Sequence, residues 1–149
     1  MNAYLFFRYL HSGFRYIVLL LLVLAIVSAW ANWIGKKPYT EGQRKLNLFT
    51  MISVHTQLLI GLILYFLSPN VKFVSGVMKD NTLRYWTVEH IAGMLIAVVL
   101  ITIGHSRSKK AATADKKHKA IATFYTIAVL VIVATLLSAH SGILLGMTH

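Results

Sequence analysis

The chain alternates long apolar runs with short polar gaps. Between Arg15 and Lys36 lie twenty residues without a charge, YIVLLLLVLAIVSAWANWIG. At about 1.5 Å per residue, a helix of this length crosses a hydrocarbon core of about 30 Å. Three further runs follow: from about Leu46 to Ser68, stopped by Pro69; from about Tyr85 to Ser106; and from about His118 through IATFYTIAVLVIVATLLSAHSGILLG to about residue 146. With the first helix taken as about 10–35, the pattern predicts four membrane spans. TEGQ at positions 40–43 fits a capping box, which can carry the start of the second helix back to Thr40. The fourth run is longer than a bilayer requires, so tilt or projection is expected. The polar, aromatic opening MNAYLFFRYLHSGFRY, with no small-residue cleavage site after the first run, argues against a removable signal segment.

Short gaps make neighbouring helices antiparallel. The expected fold is therefore all-α: one membrane domain over residues 1–149, arranged as an up-down-up-down four-helix bundle. Charge then orients it. Ten Lys and Arg lie in the gaps 36–45 and 107–119, against five at Arg8, Arg15, Lys72, Lys79 and Arg84. By the positive-inside rule the first and third loops face the cytoplasm and both termini lie outside. Tyr16, Trp30, Trp33, Tyr65, Tyr85 and Trp86 fall near run ends, as an interfacial belt requires. The gap from Pro69 to Arg84 is the longest outer segment and the expected place for a surface helix or a partner contact.

Composition agrees with the pattern. Of 149 residues 57% are hydrophobic, and the mean hydropathy is +0.67, far above a soluble domain. A net charge of +11 raises nucleic acid as a partner, but the basic residues sit in the gaps and form no stripe along a helix face. The lipid bilayer is the partner this implies, and nucleic acid is not one. With no cysteine, disulfides, iron–sulfur clusters, c-type haem attachment and thiolate zinc sites are all excluded.

Histidine carries the candidate chemistry, because ionisable groups at membrane depth are costly and mark function. His55 lies in a charge-free span, ten residues from Lys45; His90 lies in the third run, and His11, His105, His118 and His140 lie near other helix ends. A lone histidine is explained by a hydrogen bond to Ser, Thr or backbone on a neighbouring helix. Six over four helices point to a cofactor. His11, His90 and His140 sort to the outer half, and His55, His105 and His118 to the cytoplasmic half. A bis-imidazole haem needs helices farther apart than the usual 8–10 Å or so of packed neighbours, and the diagonals of a bundle supply that spacing. His11 with His90 would serve the first/third diagonal and His55 with His118 the second/fourth.

Other residues can support such a site. His90, Gly93 and Ala97 share a face, as Gly13 and Gly61 offer small surfaces elsewhere, against which a flat macrocycle can lie. Arg8, Arg15 and Arg84 outside, and Arg44, Lys45 and Lys119 inside, are candidate propionate partners, and Glu89 a second-shell or quinone-site acceptor. Helical rise, counted from the nearest cytoplasmic charge, separates His11 from His90 by roughly 12 Å, His90 from His140 by roughly 6 Å, and His55 from His118 by roughly 16 Å. An outer site is favoured, with His140 as an alternative ligand in an HSG triplet that repeats His11–Gly13.

Four segments resemble a known family: LHSGFRYIVLLLL around His11, LFTMISVHTQLLIGLILYFLSP around His55, LRYWTVEHIAGMLIAVVLITIGHSRSKK around His90 and KHKAIATFYTIA around His118. They are similar to the small four-helix bacterial membrane proteins labelled "cytochrome b", and in placement to the ascorbate-dependent di-haem transmembrane cytochromes. The resemblance implies that His11, His55, His90 and His118 are haem-iron ligands, that one or two haem b groups are bound, and that the bacterial cytoplasmic membrane is the location. The expected function is electron transfer with a quinone or redox protein as partner, in a homo-oligomer or a larger membrane complex. Two other functions compete. Met51 with His55 and His90 with Met94 each stand at i and i+4, a thioether–imidazole pairing that suits copper transport; a non-catalytic subunit of a larger complex would need neither haem nor metal.

Overall fold

The structure, a computed structural model, describes residues 2–67 and 88–137. Four helices make it up: α1 Ala3–Ile34, α2 Glu41–Leu67, α3 His90–Lys110 and α4 Ala114–Leu137. Among the described residues there is no strand. The far end of the fourth run and the Pro69–Arg84 gap lie outside the described residues.

Local caps explain where three of the helices begin. Asn2 Oδ1 accepts the Leu5 N–H at 2.9 Å, so α1 starts seven residues before its apolar run demands. At α2 the Thr40 N–H donates to Gln43 Oε1 at 2.9 Å, and the Gln43 N–H returns a bond to Thr40 Oγ1 at 3.2 Å. This is the capping box read in TEGQ. At α4 Thr113 Oγ1 accepts the Lys116 N–H at 3.2 Å, which moves the start from the expected His118 back to Ala114. The third helix runs beyond Ser106 to Lys110, and Arg107, Lys109 and Lys110 in its last turn face the negative end of its dipole. Helix α1 closes with Gly35 N–H bonded to Ala31 O and Lys37 N–H to Asn32 O, both at 2.9 Å; Lys36 between them takes a φ of 51°.

The helices pack α1–α2, α2–α3, α3–α4 and α4–α1 around a square, with α1/α3 and α2/α4 as its diagonals. The α3–α4 side is the most extensive and α2–α3 the sparsest. Lipid gives helices no hydrophobic reason to associate, so close packing and interhelical hydrogen bonds must hold the bundle. Both are present. Gly104 lets α4 approach until a Cβ on it would stand 2.5 Å from Phe124 Cβ, and a Cβ on Gly93 would stand 2.0 Å from Thr135 Oγ1. Trp30 Nε1 donates to Thr126 Oγ1 at 2.9 Å between α1 and α4, and the wholly buried Tyr125 hydroxyl donates to the Asn47 carbonyl at 3.0 Å across the α2/α4 diagonal.

Inside and outside are distributed as a bilayer demands. Asn47, Thr50, Ser53, Ser108 and His118 are buried, whereas Leu20, Val27, Leu59, Phe66 and Leu130 lie on the surface, Phe66 at 78% exposure. A soluble monomer does not expose so continuous an apolar surface. All four helices are long and apolar enough to cross a membrane, and the chain is a multi-pass membrane protein.

Phe124 Cβ is anchored to its own backbone and cannot swing aside, so Gly104→Ala is expected to destabilise the bundle by about 1–3 kcal/mol. Thermal unfolding in detergent measures this. An unchanged midpoint would mean that α3 and α4 lie farther apart than described.

Candidate functional site

The α1–α2 loop and the α3–α4 turn together form the basic end of the bundle. At the far end α1 contributes His11 and α3 contributes His90. The two imidazoles meet across the α1/α3 diagonal in an edge-on arrangement, with ring centroids 6.4 Å apart and planes at 76°. Counting from charges placed them roughly 12 Å apart in height because Lys36 and Arg107 are poor rulers. His11 is 23 residues from the end of α1 at Ile34, and His90 is 20 from the end of α3 at Lys110. That three-residue difference is about 4.5 Å of rise.

Helix α2 positions His11. Gly61 lies against its ring, where an added Cβ would stand 3.1 Å from Cε1, and Gln57 Nε2 donates to the His11 carbonyl at 2.9 Å. Gln57 Oε1 is buried, with no hydrogen-bond partner among the described residues. A buried acceptor in that state costs about 1–3 kcal/mol, so this corner of the interior is suited to a donor. Glu89 is half-buried immediately before His90. His140 lies outside the described residues, so its pairing with His90 does too.

The small-residue face behaves differently from its expectation. Gly93 is met by the Thr135 side chain and Ala97 is buried in the core, so this row receives α4. Gly13 has nothing within 4 Å of an added Cβ. Of the far-end cations expected to meet propionates, Arg15 bonds the Tyr16 hydroxyl at 3.1 Å and Arg8 lies over the Tyr9 ring, while Arg84 is outside the described residues. At the basic end Arg44 donates through Nε and Nη2 to Glu41, and Lys45 and Lys119 are exposed.

His55 and His118 are not brought together. Thr102 Oγ1 spends its proton on the Val98 carbonyl at 2.7 Å, so in the 2.8 Å contact with His55 Nε2 the imidazole is the donor. This relay crosses the sparse α2–α3 side and is a full account of a polar residue there. His118 is buried and donates through Nε2 to the Lys37 carbonyl at 3.0 Å, its ring edge-on to Tyr39. Between the two lies the Tyr125–Asn47 bond. His55 is eight residues beyond Asn47 and His118 seven before Tyr125, which separates them in height by on the order of 20 Å. One iron cannot span that distance, and the diagonal between them is filled by the Tyr125 ring.

His105 has a setting of its own. With Leu48, Arg44, Tyr39, Lys109 and Lys117 it lines a cavity of about 180 Å³ at the basic end. Its Nδ1 is buried and finds no hydrogen-bond partner among the described residues. Sequence reasoning sorted His105 to this half without giving it a role, and it missed Gln57, Thr102 and Tyr125. Gln57 and Thr102 had a readable signal, being polar side chains within apolar runs; Tyr125 reads as one more belt aromatic until its burial is known.

Among the described residues no three His, Cys, Asp or Glu side chains cluster as a metal site. No family model, curated protein or solved structure matches the chain. The arrangement of its own residues therefore carries the functional argument.

Replacing His118 with alanine removes a buried ring and leaves the Lys37 carbonyl without that donor. A loss of about 2–3 kcal/mol is expected in thermal unfolding. A variant as stable as the parent would show that the link between the first loop and α4 is not structural.

Proposed function

We propose that the chain is a membrane electron carrier in which His11 and His90 hold the iron of one b-type haem near the far end of the bundle. The observation behind this is the approach of the two imidazoles across the α1/α3 diagonal to 6.4 Å between centroids, with ring planes at 76°. An imidazole nitrogen binds a first-row metal at about 2.0 Å, which sets the centroids of two opposed imidazoles roughly 6 Å apart. The donor set also fits: two imidazoles, one of them backed by the Gly61 surface. Haem supplies reversible one-electron chemistry, and the protein's residues bind it, orient it and keep it from water. Gln57 and Gly61 hold His11 at its height on α1, and Glu89 beside His90 is the group able to accept a proton from an exchanging quinone.

In this reading His55 and His118 are structural and one haem is bound, where the resemblance to the cytochrome b proteins implies up to two. The excess of basic residues around the α1–α2 loop and the α3–α4 turn supports a bacterial cytoplasmic membrane with that end inside, which puts the haem toward the outer face. A second reading uses the same pair. Two opposed imidazoles also suit Cu(I), and Met94 follows His90 by one turn.

Protein purified after expression with adequate haem is expected to show a Soret band, with about one haem per chain in a pyridine haemochrome assay. His11→Ala and His90→Ala should each lose it, while His55→Ala and His118→Ala should keep the spectrum. Gly61→Val, which drives a side chain into the His11 ring, should lower haem content by at least about tenfold; Gly13→Ala, which meets nothing, should not. Haem retained in both far-end alanine variants sinks the proposal, and stoichiometric copper without haem favours the second reading.

A further inference from the structure

We infer that the cavity at the basic end is a binding site for a phosphate group, carried by an anionic lipid headgroup or as free phosphate. The cavity of about 180 Å³ opens in the α2–α3 side, where helix packing is sparsest. Arg44 and Leu48 line it from α2, and His105 and Lys109 from α3, each pair at i and i+4 and so on one helix face. The two helices run in opposite directions. Arg44 and Lys109 therefore stand at the mouth, and Leu48 and His105 one turn deeper, at the level where α3 becomes apolar. Tyr39 of the first loop and Lys117 of α4 complete the wall.

What distinguishes this site from membrane-flanking charge is its hydrogen-bonding inventory, which consists almost wholly of donors. The Lys109 ammonium is exposed and forms no ion pair among the described residues. Glu41 holds Arg44 by Nε and Nη2, which steadies the guanidinium and leaves Nη1 outside that pair. The Tyr39 oxygen accepts from Asn47 Nδ2 at 2.9 Å, and its own proton is not used in that bond. Lys117 Nζ is anchored by the Ser108 and Lys109 carbonyls at 3.0 and 3.2 Å and still contributes its charge. The His105 ring lines the deeper part of the wall beside Leu48. Three cations line the cavity, and Glu41, the carboxylate beside it, is committed to Arg44. Such a site repels metal cations and matches a ligand rich in acceptor oxygens, and a basic pocket between helices at headgroup level is how anionic lipid phosphates are recognised.

The test follows the His105 imidazole by NMR in full-length protein labelled at histidine, in neutral detergent. Phosphatidylglycerol, phosphatidylcholine and inorganic phosphate are titrated separately. Saturable movement of the His105 signal with phosphatidylglycerol or with inorganic phosphate is expected, and none with phosphatidylcholine. Lys109→Gln should weaken the effective ligand about tenfold and Lys110→Gln, its exposed neighbour outside the cavity, less than about twofold. Movement by phosphatidylglycerol that inorganic phosphate cannot displace assigns the site to lipid; displacement assigns it to free phosphate. Equal weakening by the two lysine variants would reduce the effect to diffuse charge and overturn the inference, as would an unmoved His105. The signal belongs to a residue outside the proposed iron pair, so either outcome leaves the haem reading standing or falling on its own spectrum.

Discussion

The Tyr125 hydroxyl bonded to the Asn47 carbonyl divides the interior of the bundle. In lipid there is no hydrophobic gain from bringing helices together, so a fully buried tyrosine that reaches across a diagonal sets both the width and the filling of that half. Around it cluster the other satisfied polar groups: Asn47 on Tyr39, Thr50 on the Leu46 carbonyl, Ser53 on the Thr50 carbonyl and His118 on the Lys37 carbonyl. The basic half is thus a packed, hydrogen-bonded plug. Beyond it Gly61 replaces bulk, and the His11 and His90 rings meet edge-on. The two imidazoles meet on the side of Tyr125 away from the α1–α2 loop and the α3–α4 turn.

How far this was legible follows from the range of each signal. Apolar runs and caps are local, so the four helices, the Thr40–Gln43 box and the square of antiparallel neighbours could be read from the chain. The proximity of His11 and His90 was readable through topology, since alternate helices of such a bundle form a diagonal. Their height was not, because charges mark where solvent begins and helices α1 and α3 stop at different distances from their nearest charge. The separation of His55 from His118 was hidden for a related reason. Nothing local in ATFYTIA says that its tyrosine points inward, and one inward ring on α4 closes the diagonal.

Small residues illustrate the same limit. Gly61, Gly93 and Gly104 look alike in sequence, each a break in an apolar run. One receives an imidazole, one a threonine and one the Cβ of a phenylalanine. A glycine states that something comes close; only the partner helix states what. Histidines divide in the same way. The imidazoles of His55 and His118 donate to a hydroxyl and a carbonyl, and the far-end pair is distinguished by the edge-on contact of one ring with the other.

The bond from His118 to the Lys37 carbonyl also bears on biogenesis. It joins the turn after α1 to the first turns of α4, 81 positions later in the chain. On a ribosome the hairpin of α1 and α2 emerges first, and its Lys37 carbonyl has only water to bond until α4 is synthesised. His118 stands in the first turns of α4, so this contact cannot form until three spans have been translated, and it couples the first hairpin to the second. A chain truncated before α4 keeps its apolar segments and its caps but lacks this closing contact.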